Sequence, residues 1–122
     1  MTERMLKQGA GWRIGWNPQA SKFKGLLGGE NWAIELTEAE LNDFCRLLDQ
    51  LMTTLRQMQV ELMEEEKITC EAESNLLWIQ VEGCPPAYQL HLILNTERRS
   101  EGSWSANALP ELIAATKLLK TF

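Results

Sequence analysis

The feature that most constrains the fold of this chain is a long amphipathic segment between residues 37 and 62. Its apolar side chains recur every three or four residues, which is the period of an α-helix with one buried side. Thr37 and Glu40 stand three residues apart at its start, as in a capping box, where each side chain bonds a backbone N–H left free at a helix start. The spacing predicts one long helix that buries Leu41, Phe44, Leu48, Leu51, Leu55, Met58 and Leu62.

The apolar stripe of this helix has two interpretations. A repeat of this kind marks either the seam of a coiled coil or a helix that lies on a sheet. We favour the sheet because segments that alternate like strands flank the helix on both sides and need an apolar cover. A dimer formed through the helix is the alternative.

Alternating apolar residues predict three strands before the helix. Residues 11–16 alternate large apolar side chains and end at an Asn-Pro pair, which is typical of a strand followed by a turn. A second strand is expected at residues 23–27 and a third at 32–36, with a glycine-rich hairpin turn at 28–31. The predicted buried side chains are Trp12, Ile14, Trp16, Trp32, Ile34 and Leu36.

The second half of the chain repeats this plan. Alternation predicts strands at residues 68–72, 76–81 and 88–94, and a last strand over 98–104. A final helix follows, with Asn107 as its cap and Pro110 in its first turn. Its predicted buried residues are Leu109, Leu112, Ile113 and Thr116.

Strands followed by a helix therefore occur twice. This plan predicts an α+β fold in which an antiparallel sheet, or a pair of sheets, carries one long and one shorter helix. At 122 residues the chain has the ordinary length of a single domain, so we expect residues 1–122 to form one.

Three segments carry a resemblance to a known family: residues 11–16 (GWRIGW), 28–37 (GGENWAIELT) and 99–104 (RSEGSW). They resemble a family of small uncharacterised cyanobacterial proteins, with the likeness covering about residues 9–112. That family is grouped structurally with the Whirly-type single-stranded-DNA-binding regulators. The resemblance implies a Whirly-like fold, and it implies no catalytic residues because the function of the family is unknown.

Charge is unevenly distributed along the chain, whose formal net charge is −5. Residues 1–24 carry five cations and one acid, whereas residues 30–82 carry thirteen acids and three cations. An acidic protein loses much of the counterion release that drives binding to nucleic acid. The basic start nevertheless keeps a nucleic-acid partner among the hypotheses.

The cysteine pattern and the hydropathy indicate a cellular compartment. Cys45, Cys70 and Cys84 are odd in number and lack a C-x-x-C pair, which favours free thiols in a reducing environment. No apolar run approaches the ~20 residues that cross a bilayer. We therefore expect a cytoplasmic protein without a membrane partner, in which Cys84 is the exposed thiol.

Residues suited to catalysis are few. His91 is the single histidine, and no acid or nucleophile stands at a recognisable spacing from it. Glu71, Glu73 and Glu82 could face one another as an acid pair or a metal site, but solvent-facing acids are commoner on strands. The glycines at 25–29 precede a strand, so they form neither a P-loop nor a dinucleotide-binding turn. We expect no catalytic residue, metal or cofactor.

Two classes of function remain. We favour a non-enzymatic protein-interaction or assembly module, because strand edges, the long helix and five tryptophans can bury surface against a protein partner or a second copy. Binding of single-stranded nucleic acid is the alternative, since it needs cations beside aromatic rings. The candidate ligand or partner surface consists of Arg13, Lys22, Lys24, Arg98, Arg99 and Trp104.

Overall fold

The computed structural model describes residues 3–59 and 66–119. The first half forms sheet A, an antiparallel meander in the order β1-β2-β3-β4, followed by a helix. Its elements are β1 (Met5–Gly9), β2 (Trp12–Trp16), β3 (Gly25–Gly29), β4 (Ala33–Leu36) and α1 (Glu38–Gln59).

The second half repeats this arrangement as sheet B, an antiparallel meander in the order β5-β6-β7-β8, again followed by a helix. Its elements are β5 (Ile68–Glu73), β6 (Leu77–Cys84), β7 (Ala87–Leu94), β8 (Glu101–Trp104) and α2 (Leu109–Leu119). Two antiparallel sheets with one long and one short helix confirm the predicted α+β plan.

Both helices lie on the inner faces of the two sheets. Helix α1 contacts β3 and β4 of sheet A together with β5 and β6 of sheet B, while α2 contacts β2 and β7. The interpretation of α1 as a helix that covers sheets is therefore confirmed. Met58 is half-buried, and Leu62 lies outside the described residues. The predicted stripe is otherwise buried at Leu41, Phe44, Leu48, Leu51 and Leu55.

The start of α1 carries the predicted capping box. The backbone N–H of Thr37 donates to Glu40 Oε1 at 2.8 Å, and the backbone N–H of Glu40 donates to Thr37 Oγ1 at 3.2 Å. The first helical bond follows at once, from Leu41 N–H to Thr37 O at 3.0 Å. The two reciprocal bonds satisfy donors that a helix start leaves open.

The strand boundaries in sheet A differ from the prediction. Strand β3 begins two residues later and includes Gly28 and Gly29, because these glycines pair in register with Arg13 and Trp12. The turn is correspondingly tight, with Gly29 N–H donating to Trp32 O at 2.9 Å. Trp32 therefore lies in the turn and not on the strand face.

Strand β1 was not predicted from the sequence. Its residues lack the apolar alternation of a half-buried strand, and Leu6, its second residue, is 54% exposed. Pairing with β2 holds it in the sheet, with Met5 opposite Trp16 and Gly9 opposite Trp12. An edge strand of this kind is specified by its neighbour more than by its own pattern.

Two boundaries in the second half also need correction. Strand β8 begins at Glu101 and not at residue 98, because Arg99 adopts a φ of 40° and its N–H bonds Thr96 O in a turn. The predicted cap of α2 at Asn107 is wrong. The carbonyl of Ala108 accepts the bond from Leu112 N–H at 3.2 Å, so Ala108 occupies the cap position.

Two tryptophans join the sheets to each other. Trp104 of β8 donates its Nε1–H to Gly28 O of β3 at 2.8 Å. Trp32, from the β3–β4 turn, donates its Nε1–H to Ser103 O of β8 at 3.1 Å. The two rings meet edge to face with their centroids 4.9 Å apart, which is a favoured aromatic geometry. The junction therefore fixes the position of sheet A relative to sheet B.

Candidate functional site

Trp104 does not belong to an exposed surface, so that part of the prediction is wrong. It is 2% exposed and lies on the inner face of β8, opposite Leu90. Its ring also packs against Phe44 of α1, with the centroids 5.6 Å apart. A buried indole whose N–H is already bonded cannot stack on a nucleic-acid base.

The guanidinium of Arg98 is likewise occupied by contacts within the protein. Its Nη2–H donates to Glu40 Oε1, and its Nη1–H donates to the backbone oxygen of Glu35. The Glu40 side chain is 3% exposed and that of Arg98 is 32% exposed. Arg98 therefore neutralises a nearly buried carboxylate and links the β7–β8 turn to the start of α1.

Two of the predicted cations lie beside the ring of Phe23. The guanidinium carbon of Arg98 lies 4.6 Å from the centre of the Phe23 ring, and Lys22 Nζ lies 5.3 Å from it. Both distances are within the range of cation–π attraction. The ring therefore has two cations of the same chain beside it, which reduces the area that a base could occupy.

The remaining predicted cations lie on separate elements of the two sheets. Arg13 lies on the outer face of sheet A, opposite Gln8 and Gly28. Lys24 precedes β3, and Arg99 is exposed in the β7–β8 turn. The structure brings Lys22 and Arg98 together at Phe23 but places Arg13 on a different part of the molecule.

The second sheet has an outer face that neither α1 nor α2 covers within the described residues. Because side chains alternate along strands, the residues between the buried positions of β5 to β8 all point to this side. The register aligns them in cross-strand rows, such as Glu71, Gln80, His91 and Ser103. We define the outer face of sheet B as Glu71, Glu73, Trp78, Gln80, Glu82, Gln89, His91, Ile93, Glu101 and Ser103.

A depression of about 450 Å³ occupies the middle of this face. Trp78 and Ile93 lie directly opposite each other in the register, and both are half-buried. The indole of Trp78 also meets the imidazole of His91 edge to face, with the centroids 6.0 Å apart. The depression thus combines an apolar centre with polar groups, and its lining is Trp78, Gln80, Glu82, Gln89, Leu90, His91, Ile93 and Ser103.

The charges of this face are mainly negative. Glu82 forms an ion pair with Lys67, with Oε1 and Nζ 2.8 Å apart. The hydrogen bond to Glu82 and the charge of that carboxylate raise the pKa of Lys67. His91 Nε2 lies 3.8 Å from Glu101 Oε2. Glu71 and Glu73 are exposed on the edge strand β5, so acidic groups border the face on that side.

Few groups suited to metal binding or thiol chemistry occur among the described residues. Within residues 3–59 and 66–119, no group of three or more His, Cys, Asp or Glu side chains is placed to hold a metal ion. The three cysteines, all in described segments, form no disulfide, and Cys84 is exposed as predicted. Burial raises the pKa of the Cys70 thiol, which disfavours the reactive thiolate.

The outer face of sheet B was not identified from the sequence, although the signal was present. Trp78 falls between Leu77 and Ile79, which are both buried on the inner face. In a strand, this alternation sends Trp78 to the opposite side. A tryptophan out of phase with the buried residues of its own strand was therefore the available indication.

Comparison with known proteins identifies the family. A model of a domain of unknown function, DUF1818, matches residues 7–119. The chain belongs to the DUF1818 family. No curated protein matches the sequence. The family membership therefore confirms that the role is uncharacterised and transfers no activity.

A solved structure supports the fold of this DUF1818 chain. A protein of unknown function from Prochlorococcus sp. NATL2A, described as a member of the DUF155 family, is 29% identical and superposes with a TM-score of 0.89. The match covers 94% of this chain and 97% of that chain. The cyanobacterial origin of this neighbour agrees with the predicted family resemblance, while the Whirly-type likeness stays a prediction. Within the described residues, no helix has the length and apolarity to cross a membrane.

Proposed function

We propose that this chain is a non-enzymatic protein-binding module whose partner binds the outer face of sheet B. The observation that supports this most directly is the pair Trp78 and Ile93, which lie opposite each other in an open depression and not in the core. An indole buries a large apolar area at a low cost in side-chain entropy, and tryptophan is enriched among the residues that contribute most to protein binding.

The surroundings of this pair match the anatomy of a protein interface. Gln80, Gln89 and Ser103 supply hydrogen-bonding groups around the apolar centre, and Glu71 and Glu73 supply an exposed acidic border. Protein interfaces have this arrangement of an apolar middle and a polar rim. The acids indicate a partner that presents basic residues around an apolar contact.

The test is selective capture by the purified protein. Immobilised wild-type protein and the variants Trp78→Ala and Leu118→Ala are incubated with extract of the source cells, and the retained proteins are quantified. Leu118 is a matched control, because it is 51% exposed on α2 and its replacement also removes an exposed apolar side chain. We expect a partner that wild type and Leu118→Ala retain and that Trp78→Ala loses.

A quantitative measurement then follows with the isolated partner. For a central tryptophan we expect a loss of about 2 kcal/mol or more, which corresponds to a Kd about thirtyfold weaker for Trp78→Ala than for wild type. Equal Kd values for wild type and Trp78→Ala would contradict the assignment of this face. Equal losses in Trp78→Ala and Leu118→Ala would also contradict it.

The nucleic-acid alternative gives a second prediction. Because Trp104 is buried and Arg98 is bonded to Glu40, we expect no salt-sensitive binding of labelled single-stranded DNA in a fluorescence-anisotropy titration at low salt. Binding that weakens steeply with salt and is lost in the double variant Lys24→Ala, Arg99→Ala would favour a Whirly-type regulator instead. These two residues are the suitable test positions, since an Arg98 variant would also disturb the fold.

A further inference from the structure

The first sheet also has an outer face, and in the part of the chain that the structure describes neither helix covers it. The register aligns Leu6, Gly15, Leu26 and Glu35 in one row, and Gln8, Arg13, Gly28 and Ala33 in the next. We define these eight residues as the outer face of sheet A. Leu6 of β1 is 54% exposed, which leaves apolar area in contact with water.

A groove runs between the two leucines of this face. Gly15 separates them, because a Cβ atom at that position would lie 3.3 Å from Leu26 Cβ and 3.4 Å from Leu6 Cδ1. The resulting groove has a volume of about 190 Å³, and Arg4 and Lys24 lie along its border. Gly15 itself is buried, so a partner would contact the side chains of Leu6 and Leu26 on either side of it.

The charges of the two outer faces are complementary. Among the described residues, the outer face of sheet A and its border carry the cations Arg4, Arg13 and Lys24 against the acid Glu35. The outer face of sheet B carries the acids Glu71, Glu73, Glu82 and Glu101, of which Glu82 is paired with Lys67. A basic face with an exposed leucine and an acidic face with a half-buried tryptophan thus occur on the same chain.

We infer that the partner of the outer face of sheet B is the outer face of sheet A of a second copy. The inference rests on the proposed function and names its occupant. Contact of this kind would place Leu6 and Leu26 against Trp78 and Ile93, and Arg13 within reach of the acids on β5. Opposite charges around an apolar contact favour this pairing over contact between two faces of the same kind, since like charges facing each other repel.

An interface between two different faces has a definite consequence for assembly. After two copies pair, one keeps a free sheet B face and the other a free sheet A face, so a head-to-tail contact continues into a ring if the rotation closes and into a chain if it does not. A symmetric dimer would instead use the same face on both copies. The two modes can be separated by disabling one face at a time.

The experiment uses two variants of the full chain, each with one face disabled. The first, Leu6→Ser with Arg13→Ser, alters the outer face of sheet A without reversing its charge, and the second, Glu71→Lys with Glu73→Lys, alters the outer face of sheet B. Sedimentation velocity is measured over a rising concentration series. We expect wild type to associate at low salt and to dissociate as salt screens the charges, whereas each variant alone stays monomeric.

An equimolar mixture of the two variants tests whether the contact joins the sheet A face of one copy to the sheet B face of another. The first retains an intact sheet B face and the second an intact sheet A face, so an equimolar mixture is expected to form dimers of one copy of each and nothing larger. Wild type that stays monomeric at every concentration and at low salt would overturn the head-to-tail inference. So would a mixture that stays monomeric under conditions where wild type associates.

A charge control excludes a general effect of added positive charge. Asp43→Lys with Asp49→Lys alters the charge by the same amount as the sheet B variant, but on α1, which contacts the sheets from their inner side. This control is expected to associate like wild type, and its failure to do so would overturn the assignment to the faces. Circular dichroism checks that each variant is folded. If wild type is monomeric while Trp78→Ala still loses a partner from cell extract, the proposed function stands and self-association fails.

Discussion

Replacing Trp104 with alanine is expected to lower the free energy of unfolding by about 3–5 kcal/mol, as for other buried tryptophans truncated to alanine. The ring fills the space between Trp32 and Phe44, and its N–H reaches Gly28 O in the other sheet. Truncation removes these contacts and leaves a cavity where sheet A, sheet B and α1 meet. Urea unfolding followed by circular dichroism measures the loss.

The same substitution at Trp78 is the matched control. Trp78 is half-buried on the outer face of sheet B and pairs across the strands with Ile93, and cross-strand pairs of this kind contribute about 0.2–1 kcal/mol. We therefore expect Trp78→Ala to cost much less than Trp104→Ala. Equal losses at the two positions would contradict the distinction between a tryptophan of the core and a tryptophan of the surface.

Replacing Arg98 with alanine is expected to lower the free energy of unfolding by about 3 kcal/mol, the lower end of the range for breaking a buried ion pair, since Arg98 is partly exposed. The reason is the carboxylate of Glu40, which is nearly buried and loses its guanidinium partner. Contact of Arg98 with the ring of Phe23 is lost as well. Urea unfolding at neutral pH gives the size of the effect.

A double-mutant cycle identifies the cause. If the loss arises from an uncompensated charge on Glu40, the variant Glu40→Gln should cost less in the Arg98→Ala background than in wild type, because its neutral side chain has no charge to compensate. Arg99→Ala serves as the control, since Arg99 is the exposed neighbour of Arg98 in the same turn. Additive effects of Arg98→Ala and Glu40→Gln would show that the pair does not stabilise the fold in this way.

Much of the fold could be predicted because the decisive patterns are local. The period of α1 and the reciprocal contacts of Thr37 and Glu40 lie within a few residues of each other. Alternation along β2, β6 and β7 assigns each side chain to one of two sides without reference to the rest of the chain. These elements therefore agree with the prediction, apart from shifts of a few residues at their ends.

The candidate site was predicted less well because exposure depends on contacts between distant residues. Arg98 and Trp104 have the composition of a nucleic-acid surface in the sequence. Their partners, Glu40 and Gly28, lie 58 and 76 residues away along the chain. Strand β1 shows the same limitation, since pairing with β2 and not its own pattern places it in sheet A.

The sequence by itself determined the plan of strands followed by a helix, twice, and the buried side of those strands and helices whose apolar residues are periodic, a pattern that β1 lacks. Periodicity suffices for this, because it records which side of an element is apolar. Only the tertiary structure decided that Arg98 and Trp104 join the two halves, and that neither helix covers the side of sheet B to which alternation directs Trp78. Whether a polar or aromatic side chain meets solvent or a partner is settled by the packing of segments far apart in the chain, which no local pattern records.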